Sequence, residues 1–409
     1  MSAEQNATGP RTERIGIVGG GIVGVALGRH LGMSGAGEVT IIEKERRVGM
    51  HQTGHNSGVV HAGLYYAPGS LKAVLCARGR EATQQFCEEK NLPYREIGKL
   101  VVAVTEDDLA GLGRIEDRAR SNGVPDLERV GPARMREIEP HAAGVAALHS
   151  PHTAVVDYVA ITEAMAQDVR RSGGRIVLGQ EVIAIREDAA GIHVRTSSSG
   201  YCFDRLIVCA GLQSDVVARY VGGSPSPRIL PFRGEYWAMT PESEHLVNGM
   251  IYPIPDPAFP FLGIHFTRGV YDDVHVGPNA VPGLAREGYG WRDVSVKDIW
   301  GSVTWPGAFT LAQRHWRMGS AEIAASLIKP LYFREARRFV PELKMRDLAA
   351  KSASGVRAQA WADNGELLDD FAVDRIGRVT LIRNAPSPAA TSAIAIAEFV
   401  TEHYLQASE

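Results

Sequence analysis

Residues 14–43 leave this chain little choice of opening fold. RIGIV (14–18) reads as a short buried strand that runs straight into Gly19-Gly20-Gly21-Ile22-Val23-Gly24. An apolar helical pattern continues through Leu31, and VTIIE (39–43) supplies a second strand. A strand, a glycine turn, a helix and a parallel strand make a βαβ unit. The glycines fit GxGxxG, and Glu43 closes the next strand at about the 20-residue interval of a dinucleotide fingerprint. Gly19 permits the tight turn, Gly21 lets the backbone meet a pyrophosphate, and Gly24 lets helix and strand pack closely. The helix N-terminus, around Ile22 and Val23, offers unpaired N–H groups and its positive dipole end to phosphates. Glu43 suits ribose hydroxyls and disfavours a 2′-phosphate, which argues against NADP. A merely structural tight turn is the alternative.

The next distinctive stretch is residues 49–66, GMHQTGHNSGVVHAGLYY, with three histidines, two tyrosines and four glycines in eighteen residues. Glycines allow a flat ligand to approach the backbone. The rings beside them hydrogen-bond, stack or titrate near neutral pH. Composition excludes several classes. With 44% hydrophobic and 22% charged residues and a net charge of −3, nothing points to nucleic acid. The four cysteines (76, 87, 202, 209) form no CxxC pair and no zinc spacing, as expected of packed thiols in a reducing compartment. The first thirteen residues lack an apolar signal-peptide region, and no apolar run approaches the ~20 residues of a membrane span. A cytoplasmic protein fits, with room for peripheral contact on the inner face of the cell membrane.

Along the chain, helices are expected over 68–90, 106–122 and 160–172, and strands over 98–104, 175–185 and 206–211, with a hairpin around Gly191 and Gly200. From Pro225 to Gly290 proline and aromatic density rises. GEYWAM, MIYPIPDP, FPFLGIHFT and DDVHVGPNAV alternate like an antiparallel sheet. Residues 293–340 read as helical, with Trp305, Trp316 and Leu327 on one face. SPAATSAIAIAEFVTEHYL closes the chain as a helix, its prolines in the first turn. The expected class is α/β. A discontinuous Rossmann-like dinucleotide domain (14–90, 150–224, 345–409) is interrupted by a substrate domain (91–149, 225–344) built on a mixed or antiparallel sheet with helices.

No second glycine fingerprint appears mid-chain, which favours FAD alone over FAD with NAD. LIVCAG ends in Ala210-Gly211, small enough to lie beneath an extended cofactor, and QEV (180–182) brings Val182 within reach of an adenine. Ordinary core strand is the other reading of both segments.

GGGIVG with EKE, GMHQTGHNSGVVHAGLYY, GKLVVAV, PFRGEYW, PFLGIHFTRG, VGPNAV, SGVRAQA and RNAPSPAATSAIAIAE together resemble the L-2-hydroxyglutarate dehydrogenase/oxidase family. That family lies within the D-amino-acid-oxidase-like flavoproteins. The likeness runs from about residue 14 to 400, in matching order. HNSGVVHAGLYY and NAPSPAATS are specific, whereas GxGxxG is shared by many families. Gly28 stands where the fingerprint helix often has Ala, and Glu235 where Asp also occurs. The resemblance implies noncovalent FAD and oxidation of L-2-hydroxyglutarate to 2-oxoglutarate, with electrons passed to a quinone or oxygen. It also implies a cofactor shell drawn from Gly19, Gly21, Ile22, Val23, Gly24, Glu43, Lys44 and Thr53, from Asn56 and Ser57, and from Val182, Ala210 and Gly211. The turn carrying Ser387, Ala389, Ala390 and Thr391 completes it.

Oxidising a 2-hydroxy acid needs a base for the hydroxyl proton, a hydride acceptor and cations for the carboxylates. A histidine near its ordinary pKa suits the first role. Alternation puts Gly263, His265 and Thr267 on one strand face, and related amine-oxidising flavoproteins present a histidine from a similar strand, so His265 leads and His61 follows. His51 and His55 are expected to order the loop. Tyr65 and Tyr66 are either core packing or pocket wall, and Tyr252 is placed to reach substrate from the sheet. The dicarboxylate asks for cationic clamps: Arg357 first, then Arg268 and Arg233, with surface ion pairs as the alternative for each. Rival readings are an amino-acid or amine oxidase of the same superfamily, an NAD-dependent dehydrogenase, and a non-catalytic nucleotide-binding module.

Overall fold

A computed structural model describes residues 12–255, 263–352 and 354–405. Parts of the expected MIYPIPDP and FPFLGIHFT strands, residues 256–262, lie outside the described residues, as do the side chain of Trp316 and residue 353.

A six-stranded sheet runs Ala372–Ile376, Val379–Asn384, Arg205–Val208, Arg14–Val18, Glu38–Ile42, Arg175–Val177. All pairs are parallel except the antiparallel edge of the first two. RIGIV, VTII and LIV are apolar on both faces because both faces are covered. Helices Ile22–Met33, Leu71–Lys90, Tyr158–Arg171 and Ala393–Val400 pack one face around Ile15, Ile17, Leu27 and Ile41. A three-stranded antiparallel sheet (Val182–Asp188, Gly191–Thr196, Gly200–Phe203) covers the other around Val18, Ile42 and Leu206. Gly16 makes this closeness possible: a Cβ there would meet the Phe203 ring at 2.5 Å. The registers Val18↔Val208 and Val18↔Ile42 align the carboxyl ends of three strands, so Gly19, Glu43 and Cys209 emerge together. That edge is where open parallel sheets bind ligands.

An eight-stranded sheet runs Leu348–Lys351, Trp237–Met239, Val274–Gly277, His265–Arg268, Met250–Pro253, Lys99–Ala103, Ala146–Ser150, Glu128–Val130. Only Met250–Pro253 and Lys99–Ala103 pair in parallel within it. Leu100, Ile251, Phe266 and Val276 bury one face against Tyr332 and Ala336 of helix Lys329–Arg337. Alternation turns Lys99, Val101, Tyr252, His265 and Thr267 to the other face.

Several expectations need correction. Residues 175–185 are not one strand. Arg175–Val177 ends the six-stranded sheet, Gly179 turns with φ +71°, and Val182–Asp188 opens the covering sheet. The N–H groups of Gly179 and Gln180 donate to the carbonyls of Glu45 and Glu43, so the break docks on the fingerprint strand's end. The terminal helix starts at Ala393, not in NAPSPAATS; residues 386–392 form successive turns before it, with both prolines outside the helix. Helices over 293–340 are Val296–Val303, Ala308–Leu327 and Lys329–Arg337. Trp305 sits in the turn between the first two, buried against Leu230 and Trp361 with its indole N–H donating to Asp363, while Leu327 is exposed. Strands Leu348–Lys351 and Gly355–Trp361 pair with Trp237–Met239 and Arg228–Gly234. We propose on these pairings that the return to the dinucleotide part follows Trp361 rather than residue 345. All four cysteines are free thiols, Cys76 and Cys87 buried.

Candidate active site

A cavity of about 1580 Å³ starts at the aligned strand ends and reaches the polar face of the eight-stranded sheet. Single small-molecule pockets span roughly 300–1,000 Å³, so there is space for an extended cofactor and a small substrate together. The expected cofactor-shell residues and His61, Tyr252, His265 and Arg357 all line it. They come from strand ends, two loops and the turn before the last helix.

At the strand-end side the glycines are obligatory. Gly19 has φ +108°, and its Cβ would lie 2.3 Å from the Cys209 carbonyl oxygen. A Cβ on Gly24 would lie 2.1 Å from the Gly19 carbonyl oxygen. A Cβ on Gly21 meets nothing nearer than 3.6 Å, so the chain is open there toward the cavity. Gly21, at the N-cap of helix Ile22–Met33, has no side chain to cap it, and the Thr53 hydroxyl accepts from the Ile22 N–H at 3.0 Å. Glu43, nearly buried, accepts from the N–H groups of Gly20 (2.5 Å) and Glu45 (2.8 Å), which fixes its carboxylate at the glycine turn. The cradle that a Cβ would fill, the helix N-terminus lining the cavity and the anchored acid fit an FAD pyrophosphate and ribose. Val182, Ala210 and Gly211 continue that wall.

The loop after the glycine turn is held by its own polar groups. Asn56 donates to the carbonyls of Gln52 and Thr53 and accepts from the Gly58 N–H. His51 and His55 do more than order this loop. The segment 286–289, from the opposite part of the chain, straps over them. Tyr289 stacks on His55 with centroids 3.8 Å apart, and its hydroxyl meets His51 Nδ1 at 2.9 Å. Arg286 forks onto buried Asp215, and Glu287 binds Lys44 at 2.8 Å and Gln213 at 3.0 Å. Lys44 therefore lines the cavity with its ammonium already held by Glu287, Glu45 and His51. Burial alone would lower its pKa, but the hydrogen bonds to the two glutamates raise it.

At the far side, the turn 386–391 is pinned through Thr391, whose hydroxyl bonds the His61 N–H (3.2 Å), Tyr158 (2.9 Å) and the Val59 carbonyl (3.3 Å). Ser387, Ala389 and Ala390 of that turn line the same cavity as His61. Gly79 allows the contact, since a Cβ there would lie 2.4 Å from the Thr391 carbonyl oxygen.

His265 is 3% exposed and stacks on Tyr252, centroids 3.8 Å apart. Its Nδ1 lies 2.8 Å from the Gly263 carbonyl. A carbonyl only accepts, so Nδ1 carries the proton and Nε2 keeps its lone pair in the neutral ring. Burial, then Lys99 and Arg357, press the His265 pKa down to about 3. Burial also holds His61 well below its ordinary value, helped by Lys99, Arg357, His265 and Lys72. The expected histidine of ordinary pKa is thus absent from this pair: both rings are neutral because they sit in protein among cations. The Tyr252 hydroxyl bonds Thr267 at 3.3 Å and Ser57, and burial raises its pKa.

Arg357 reaches the cavity and hydrogen-bonds Tyr236. The other two expected clamps are spent elsewhere. Arg268 donates to the carbonyls of Val247, Glu244 and Asp272 and pairs with Asp272. Arg233, fully buried, pairs with Glu235 at 3.0 Å and lies over Trp291. Tyr65 and Tyr66 are pocket wall. Sequence reasoning missed Lys99, Tyr236 and the strap. Only Lys99 left a signal, a lysine at the head of the apolar run LVVAV.

Comparison with known proteins gives a consistent picture. Residues 14–403 match the family described as FAD dependent oxidoreductase. The chain is 43% identical over 397 residues to the L-2-hydroxyglutarate dehydrogenase, mitochondrial, of Caenorhabditis briggsae, covering 94% of this chain and 91% of that one. It is 41% identical to the L-2-hydroxyglutarate dehydrogenase of Escherichia coli K12, covering 93% and 90%. Among solved structures, an FAD-bound L-alpha-glycerophosphate oxidase from Mycoplasma pneumoniae superposes with TM-score 0.76 at 20% identity, covering 95% and 93%, which speaks to the fold alone.

Proposed function

Because the chain belongs to the FAD dependent oxidoreductase family, we propose that it oxidises L-2-hydroxyglutarate to 2-oxoglutarate with noncovalently bound FAD, the activity its relatives' names carry. The observation that carries this reading is one cavity lined both by a dinucleotide cradle and by a neutral histidine whose Nδ1 proton is held by the Gly263 carbonyl, leaving Nε2 unprotonated. Bound FAD supplies the hydride acceptor, flavin N5, for the hydride leaving the substrate α-carbon. The chain supplies the rest. The fingerprint turn, Glu43 and the Ser387–Thr391 turn would hold the cofactor. His265 takes the hydroxyl proton at Nε2 while Nδ1 stays on the Gly263 carbonyl, which fixes ring and tautomer. A pKa of about 3 makes a weak base, but an arriving dianion offsets Arg357 and Lys99 and raises it. Arg357 receives the α-carboxylate, for which its planar fork is suited. Tyr252 positions His265 by stacking, and His61 is the second base in reach of the same pocket.

The test is anaerobic mixing of the purified holoenzyme with L-2-hydroxyglutarate, D-2-hydroxyglutarate or glycine-type amines. Bleaching of the visible flavin band with the L-hydroxy acid alone is expected. A band that persists with that substrate overturns the assignment, and bleaching by amines favours the oxidase alternative.

The electrons then pass to a quinone or oxygen. Among the described residues no helix is long and apolar enough to cross a membrane. Peripheral contact is supported by helix Val296–Val303, which turns Val296, Trp300 and Val303 outward along one stripe, Trp300 at 70% exposure. The wild type is expected to co-sediment with phospholipid vesicles, and Trp300→Glu to weaken this by roughly tenfold or more, the worth of one large apolar side chain. A wild type left in the supernatant removes the membrane from the proposal.

A further inference from the structure

We propose that Lys99 and Tyr65 form the subsite for the substrate's second carboxylate, an inference that rests on reading the substrate as a dicarboxylate. Lys99 opens the strand Lys99–Ala103, and the parallel register Met250↔Lys99, Tyr252↔Val101 puts its side chain on the sheet face that carries Tyr252 and His265. It is 1% exposed. Its ammonium lies 4.1 Å from the Tyr252 ring centroid and 6.0 Å from that of Tyr65, and among the described residues it has no hydrogen-bond partner. The Tyr65 hydroxyl, on the cavity wall, is buried and equally unpartnered. Two buried, orphaned donors, the ammonium of one 6.0 Å from the ring of the other, are what a native interior avoids unless something outside the chain satisfies them.

The chemistry of that missing group follows from the donors. Tyrosine and lysine donate to an anion, and a buried cation is tolerated only when paired or when it gives up its proton. Burial holds Lys99 down to about 7, near the edge of neutrality, and a carboxylate beside it favours the charged form. The aromatic faces of Tyr252 and Tyr65 keep the ammonium in place meanwhile. Arg357, bonded to Tyr236, acts on both histidines from its own strand, as Lys99 does from its sheet. The histidines therefore lie in the field of two separate cations. With the α-carboxylate on the arginine fork, the remaining carboxylate goes to the ammonium and the phenol.

Binding of glutarate and of butyrate to the holoenzyme, read by perturbation of the visible flavin spectrum, separates this subsite from the rest of the pocket. Wild type is expected to prefer glutarate. Lys99→Met should weaken glutarate about 10- to 100-fold, the loss of a charge-assisted hydrogen bond, and leave butyrate within about twofold. Tyr65→Phe, which removes one oxygen and keeps the ring, should show the same selectivity at about three- to tenfold, and it decides the matter where Lys99→Met does not fold with flavin. Equal weakening of both ligands, or glutarate affinity unchanged, overturns the subsite. A wild type without preference for glutarate overturns the dicarboxylate reading itself.

Discussion

His265→Ala should lower the rate of flavin reduction by L-2-hydroxyglutarate about a hundred- to ten-thousandfold, the usual contribution of a general base, while the purified protein keeps its flavin. The two parts of this expectation come from different places in the structure. The base role rests on the tautomer fixed by Gly263, which leaves Nε2 unprotonated, and on the place of His265 in the cavity lining. Flavin retention rests on the fingerprint, Thr53, Glu43 and the Ser387–Thr391 turn, which draw on other strands and loops. Stopped-flow reduction together with the flavin-to-protein absorbance ratio checks both. A rate within tenfold of wild type would hand the proton to His61, and parallel loss of flavin and activity would make His265 a structural residue. The lowered pKa adds a pH signature. A histidine pressed to about 3 stays neutral as pH falls through the usual histidine range. So kcat/KM, which reports free-enzyme groups, should show no acid limb from this ring between pH 5 and 8. A limb near 6.5 that vanishes in His265→Ala would contradict the burial argument.

Gly24→Val should give a colourless protein. The new Cβ would lie 2.1 Å from the Gly19 carbonyl oxygen, a backbone atom that cannot rotate away. Either the helix Ile22–Met33 backs off its strand or the glycine turn opens, and both displace the N–H groups offered to the pyrophosphate. Overpacking of this kind costs typically 1–3 kcal/mol in a core, and the loss of cofactor removes its stabilising linkage as well. Flavin content below about a tenth of wild type and a lower Tm are expected, the latter following from those two losses. Stoichiometric flavin in the variant would show that this turn is not the cofactor's cradle.

The cradle was legible in the sequence because it is local: strand, turn, helix and acid follow one another within thirty residues, and period and spacing encode them. The face of His265 was legible for the same reason, since strand alternation needs only its neighbours. What was not legible depends on partners far along the chain. Arg233 and Arg268 resemble Arg357 in sequence, and only the contacts with Trp291 and Val247, 58 and 21 residues away, show that they are engaged elsewhere. The strap of Arg286, Glu287 and Tyr289 gives no periodic signal and meets residues 44–55 and 215 across the fold. Residues 175–185 read as one strand because their apolar pattern barely lapses. The break at Gly179 exists to satisfy the carbonyls of Glu43 and Glu45. The histidine pKa values were misjudged because burial and the Lys99 charge are tertiary properties.

The Thr391 pin has a consequence for how the protein is made. Its hydroxyl joins His61, Val59 and Tyr158, so the wall beside His61 is completed by a residue 330 positions further along the chain. A nascent chain can assemble the glycine turn early, but it lacks this wall until residue 391 has been made. Firm cofactor capture is therefore expected only after that point. Chains truncated before residue 391 should emerge without their prosthetic group however well their first half folds.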